Sequence, residues 1–241
     1  MKRLWLIQAA ANALLSWCAF AWLGIRDSRA SQLLETVIFG LLIVVPWLWL
    51  QNATLAYCGD RSPGLGGVFR KSGKTVLIFS GVVIIFVVLV WALGRLEEPL
   101  TTLGQRTASW LTFHLRKPIK PVTWAKAYLA VLWGVRWIAL PVLLLPVAAG
   151  VAGNGVRGIR RSAGKVFWVQ YLLAFVIGAY IPGLLMGWVP RLTGTTAQVV
   201  SFILRFGVAY VLIITTWLML AFFSVQRGVD FSVPSRNDPA V

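Results

Sequence analysis

Thr75-Val-Leu-Ile-Phe-Ser-Gly-Val-Val-Ile-Ile-Phe-Val-Val-Leu-Val-Trp-Ala-Leu-Gly94 runs for twenty residues without a charge. As a helix, such a stretch rises about 30 Å, the thickness of a bilayer's hydrocarbon core. Its apolar residues are continuous rather than alternating, which excludes a transmembrane barrel. In lipid the backbone must satisfy its own hydrogen bonds, so the segment is predicted to be a membrane-spanning helix.

Five more stretches of the same character flank it, at 4–24, 33–58, 125–149, 165–189 and 198–223. The chain of 241 residues is 59% hydrophobic and only 12% charged, with a mean hydropathy of +0.79. These values predict an all-α, polytopic membrane bundle of about six transmembrane helices over 1–226, followed by a polar tail, 227–241. The longest stretch outside the spans, 95–124, is too short to bury a core of its own. An enzyme resting on a separate soluble domain is thereby disfavoured.

The net charge of +16 lies in short loops between spans, where Lys and Arg set membrane orientation. No basic domain or recognition motif points to nucleic acid. Attraction to anionic phospholipids is the expected use of the charge. With the N-terminus in the cytoplasm, the inner loops hold Lys2, Arg3, Arg61, Arg70, Lys71, Lys74, Arg157, Arg160, Arg161, Lys165, Arg227 and Arg236. The outer loops hold nine, six of them between Arg95 and Lys126. The bias predicts a cytoplasmic (inner) membrane protein with both termini inside. Within that outer loop, 100–115 is read as an interfacial amphipathic helix, with Leu103, Trp110, Leu111 and Phe113 available to enter lipid. Met1-Lys2-Arg3 and the following apolar run resemble a signal peptide. The run extends to Leu23 and carries Gln8 and Asn12, so the first helix is expected to be retained.

An internal repeat is the next signal. The window 64–74 aligns without gaps to 155–165, with identity at Gly64/Gly155, Gly67/Gly158, Arg70/Arg161, Gly73/Gly164 and Lys74/Lys165. Each copy joins one span to the next, as if one hairpin with a basic loop had been duplicated. Arg70, Lys71, Lys74, Arg160, Arg161 and Lys165 are therefore candidates for holding lipid headgroups or another anion. Ser72-Gly73-Lys74-Thr75 imitates the end of a phosphate-binding loop, but the glycine such a loop needs at 68 is Val68, and a membrane span follows.

Arg136 and Arg205 lie inside predicted spans, where a charge is costly. Arg205 is about 10 Å from the expected end of its helix and Arg136 about 15 Å from its own. With Glu35, the carboxylate expected nearest that level, they form a candidate anion or substrate site, or alternatively an internal ion pair. No span interior contains an acidic residue, which disfavours proton- or sodium-coupled carriers. Pro46, Pro141, Pro146 and Pro182 are expected to kink their helices. Gly183-Leu-Leu-Met-Gly187 has the spacing that permits close helix approach. One histidine and two separated cysteines suggest neither a metal site nor a catalytic triad, and no cofactor is expected.

The stretch Ala56-Tyr-Cys-Gly-Asp-Arg-Ser-Pro-Gly-Leu-Gly-Gly-Val-Phe-Arg-Lys71 resembles a loop of bacterial multi-helix membrane domains. Among these is the membrane domain fused to some glycerophosphodiester phosphodiesterases. The resemblance implies helical hairpins with a Gly/Pro loop and a basic helix start. It implies no phosphodiesterase activity, because the sequence contains no such catalytic domain. The expected function is a non-enzymatic membrane scaffold or accessory subunit, with a membrane-protein partner or a second copy. The alternative is a transporter or channel for an anionic or lipid-like solute.

Overall fold

The computed structural model describes residues 1–25, 30–162, 168–190 and 194–229, excluding the side chains of 30–31, 161–162 and 226–229. Among these residues there are eleven α-helices and two π-helical turns, and no strand. The order is α1 (Lys2–Leu23), α2 (Ala30–Gly59), α3 (Gly64–Ser72), α4 (Val76–Gly94), α5 (Glu97–Leu115), α6 (Pro121–Gly134) and a π turn (Val135–Ala139). There follow α7 (Leu140–Asn154), α8 (Val156–Ser162), α9 (Trp168–Phe175), a second π turn (Val176–Tyr180), α10 (Ile181–Gly187) and α11 (Thr195–Val229).

Six stretches are long and apolar enough to cross a membrane: Lys2–Leu23, Gln32–Gly59, Val76–Leu115, Pro121–Asn154, Trp168–Gly187 and Thr195–Val225. Large side chains such as Phe20, Leu77 and Val169 are more than 70% exposed along them. In water such exposure would be prohibitive, whereas in lipid these side chains face their own solvent. The chain is an all-α, multi-pass membrane protein.

The core is small and joins five helices. Leu4 of α1, Leu55 and Cys58 of α2, Phe79 and Val82 of α4, Ala148 to Ala152 of α7 and Ile214, Leu218 and Ala221 of α11 form one buried cluster. A second cluster sets Val142 against Tyr171, with Ile138, Phe175 and Leu220 packed around them.

The third and fourth spans are longer than expected. The third runs on through α5, and the fourth starts at Pro121, which occupies the first turn of α6 where its missing N–H costs nothing. Arg116, left-handed at φ 53, ends α5. The segment 100–115 is helical as predicted, but it is not a lone helix. It packs antiparallel on α6, so closely that a Cβ at Gly104 would lie 2.6 Å from Ala125 Cα. At the open end of this hairpin Glu97 meets Arg136.

Each π turn ends two residues before a proline, Pro141 in one case and Pro182 in the other. Proline cannot donate to the carbonyl four residues earlier. For Pro141 that carbonyl belongs to Trp137, and Tyr171 Oη donates to it at 2.9 Å. For Pro182 it belongs to Gly178, whose missing side chain lets Thr216 of α11 approach; a Cβ there would sit 2.6 Å from Thr216 Cγ2.

The Gly183 and Gly187 spacing does not serve close approach within this chain, because a Cβ at either position would meet nothing within 4 Å. The glycines that permit contact are Gly104, Gly178 and Gly158, the last of which would place a Cβ 1.9 Å from the Gly150 carbonyl oxygen. Spacing along one helix does not reveal which face a neighbour covers.

Candidate functional site

The polar groups buried between helices are mostly spent on one another. Gln8 Nε2 donates to Thr54 Oγ1 and, at 3.4 Å, to Gln51 Oε1. Asn12 Nδ2 donates to Gln8 Oε1 at 2.6 Å, and Gln51 Nε2 to Asn12 Oδ1 at 3.4 Å. Together they staple α1 to α2. Trp49 Nε1 donates to the Phe69 carbonyl and to Ser72 Oγ, both at 3.0 Å. Asn52 Nδ2 donates to the Ser72 carbonyl at 2.9 Å and to Thr75 Oγ1 at 3.0 Å. The Ser72–Thr75 string that imitates a phosphate loop is thus a helix corner, with Ser72 buried and both hydroxyls engaged.

That corner adjoins the start of the window 155–165. Thr75 Oγ1 lies 3.5 Å from the Ala152 carbonyl, and Gly155 lies against Thr75 and Ile78. Gly64 and Gly155 both have positive φ, 68 and 59, and both lead into a short helix, α3 and α8. Only glycine takes such a conformation without strain. Arg70, Lys71, Lys74 and Arg160 are exposed on these corners. Lys165 and the side chain of Arg161 lie outside the described residues.

The two intramembrane arginines are both engaged, and not with Glu35. Arg136 Nη1 contacts Glu97 Oε1 at 3.0 Å, and its guanidinium carbon stands 5.3 Å from the Trp137 ring centre. It packs against Gly94, the last residue of α4. The 15 Å depth expected from sequence assumed a span starting at 125. The helix starts at Pro121, and Arg136 lies at the junction where α4 gives way to α5. Glu35 is exposed and pairs with neither arginine.

Arg205 closes the end of a neighbouring helix. Its Nη1 donates to the carbonyls of Leu185, at 3.3 Å, and of Trp188, and its Nε donates to the Ser201 carbonyl at 3.2 Å. Leu185 belongs to the last turn of α10 and Trp188 is its C-cap, where carbonyls lack helical donors and the helix dipole favours a cation. Arg205 also edges a shallow groove with Thr196, Val200 and Ser201. No contact joins Arg136, Arg205 and Glu35 into one site.

The larger cleft lies elsewhere. A groove of about 810 Å³ runs between the start of α1 and the last turns of α11, lined by Trp5, Leu6, Leu218, Met219, Phe222 and Phe223, with Lys2 and Arg61 at its edge. Sequence reading counted Lys2 and Arg61 only as orientation charges. Nothing in the local sequence announces that α1 packs beside α11, some two hundred residues away. Arg61 stands 5.6 Å from the centre of the Phe222 ring. Its neighbour Asp60 is bonded to Ser62, whose Oγ and amide donate to Asp60 Oδ1 at 2.6 and 3.0 Å. Those two bonds hold the carboxyl below its usual range.

Both cysteines are free thiols. Among the described residues no group of three metal-binding side chains comes together. Comparison with known proteins returned no matching family model, no matching curated protein and no matching solved structure.

Proposed function

We propose that this protein is a non-enzymatic scaffold or accessory subunit of a bacterial cytoplasmic membrane, with both termini in the cytoplasm. The observation that carries the reading is the state of Arg136. Its charge is met by Glu97 and Trp137 rather than held open toward a cavity. Arg205 is likewise committed to the end of α10. A carrier of anions needs a free cation in the apolar layer, and neither arginine that the sequence places inside an apolar stretch is left free to serve as one.

A partner surface is available on the α5–α6 hairpin. Trp110, Phe113, Val122, Val131 and Trp133 are all exposed there, beside Arg106, Arg116, Lys117, Lys120 and Lys126. Aromatic side chains with basic neighbours suit a membrane interface or a protein partner. The corners with Arg70, Lys71, Lys74 and Arg160 suit anionic phospholipid headgroups. The two-copy hairpin is consistent with duplication for packing.

The alternative is a transporter or channel for an anionic or lipid-like solute. It is favoured by the π turns before Pro141 and Pro182, since interrupted helices can build a site within the membrane. Native mass spectrometry of the gently extracted protein, joined to a flux assay in vesicles, separates the two. A stoichiometric protein partner or second copy, with no flux of chloride or phosphate, is expected. Anion flux abolished by Arg136→Ala would overturn the scaffold.

A further inference from the structure

We propose that the groove between the start of α1 and the last turns of α11 binds one anionic phospholipid, its phosphate between Lys2 and Arg61 and one acyl chain along Trp5, Leu218, Met219 and Phe222. The proposal rests on the membrane setting and is independent of the scaffold reading.

Four observations converge. The groove's volume, about 810 Å³, falls within the ~300–1,000 Å³ usual for small-molecule sites. Its walls are apolar where they follow the spanning helices. Trp5 Nε1 donates to Thr215 Oγ1 at 3.2 Å, so the indole stands fixed against α11 rather than free in lipid. The two cations are at the helix ends, Lys2 at the start of the first span and Arg61 just beyond the second, where headgroups meet the protein.

Charge complementarity selects the headgroup. Lys2 and Arg61 face the groove together, and among the described residues no carboxylate lines it. Asp60 is the acid nearest in sequence, and its Oδ1 accepts from both the hydroxyl and the amide of Ser62. The Phe222 ring under Arg61 positions the guanidinium without neutralising it. An anionic lipid brings uncompensated phosphate charge to this pair. A zwitterionic lipid brings its own ammonium to the same cations and gains less.

The test reconstitutes the full chain into vesicles of equal phosphatidylglycerol and phosphatidylcholine with matched acyl chains, then reads retained lipid by native mass spectrometry. One retained phosphatidylglycerol per chain is expected, with phosphatidylcholine at least about tenfold less abundant. Lys2→Gln with Arg61→Gln should reduce the retained phosphatidylglycerol by about tenfold or more, as two phosphate-facing charges are removed. Arg95→Gln with Arg157→Gln, two exposed cations outside the groove's lining, should leave it unchanged. Met219→Trp, which fills the groove and keeps both cations, should also expel the lipid, and it decides the question if the charge variant fails to fold. Equal retention of the two lipids, or retention unchanged in Met219→Trp or in the folded charge variant, overturns the proposal. So does an equal loss from the Arg95/Arg157 variant, which would indicate diffuse attraction. A protein partner lost while the groove lipid stays would count against the scaffold alone.

Discussion

Tyr171 Oη donates, at 2.9 Å, to the carbonyl of Trp137, the group that Pro141 leaves without an α-helical donor. A helix fault made by one residue is thus mended by a side chain from another helix. The pairing also explains why Tyr171 is buried beside Val142 in the smaller core cluster. Tyr171→Phe should destabilise the protein by about 1 kcal/mol, with the carbonyl left short of a partner. In a Pro141→Ala background the loss should shrink, because the new amide can take the same carbonyl. Equal losses in both backgrounds, from melts in detergent, would refute the compensation.

Arg136→Ala should cost no more than about 1 kcal/mol. The ion pair is partly open, with its side chains 25% and 57% exposed, and screened pairs contribute little. Exchanging the charges, with Arg136→Glu and Glu97→Arg together, should restore most of what either single reversal loses. A loss above about 3 kcal/mol for Arg136→Ala would mean that the guanidinium is buried in the apolar layer after all.

Glycine substitutions should divide sharply. Gly158→Ala and Gly104→Ala place a methyl 1.9 Å and 2.6 Å from backbone atoms, and overpacking of that kind costs about 1–3 kcal/mol or more. Gly183→Ala and Gly187→Ala meet open space and should be neutral or mildly stabilising, by up to about 1 kcal/mol. Thermal melts of the four variants give the ranking; a reversed order would remove the helix contacts described for α5, α6 and α8.

Gln8→Ala removes donors and acceptors shared with Asn12, Gln51 and Thr54. Interhelical hydrogen bonds in membranes contribute roughly 0.6–2 kcal/mol, and a loss in that range is expected on unfolding in mixed micelles. Gln8→Glu should do worse, since it puts a charge where nothing balances it. If Gln8→Glu proves neutral, water reaches the space between α1 and α2.

Asp60 should titrate below the usual carboxylate value of about 3.9, because Ser62 donates to the ionised form through its hydroxyl and then its amide. A lowered folded-state pKa means that the turn's contribution is present above the ordinary value and is lost as pH falls through the folded one. Ser62→Ala should move the midpoint back toward ordinary, read by carboxyl chemical shift. An unmoved midpoint would show that the hydroxyl bond is not made.

The reach of sequence reasoning can be judged at particular residues. Val76 to Gly94 declared a spanning helix without help, because uninterrupted apolar length is a property of one segment. The corner at Ser72–Thr75 was separable from a phosphate loop by Val68 and by the apolar span that follows. Arg205 was expected in an anion or substrate site or in an internal ion pair, but its partners, the carbonyls of Leu185 and Trp188, depend on how α10 turns back along α11. The same holds for Lys2 and Arg61, whose groove exists only because α1 lies beside α11.

By itself the sequence determined the solvent, the helical class and the six apolar stretches, since local hydropathy and the cost of an unpaired backbone in lipid decide them. The tertiary structure decided which glycines are contacts, that Glu97 rather than Glu35 meets Arg136, and where a groove with two cations opens. Those outcomes depend on which helix faces are brought together. In lipid an apolar face is content beside either an acyl chain or another helix, so hydrophobic pattern carries little information about the choice, and close packing and a few hydrogen bonds make it.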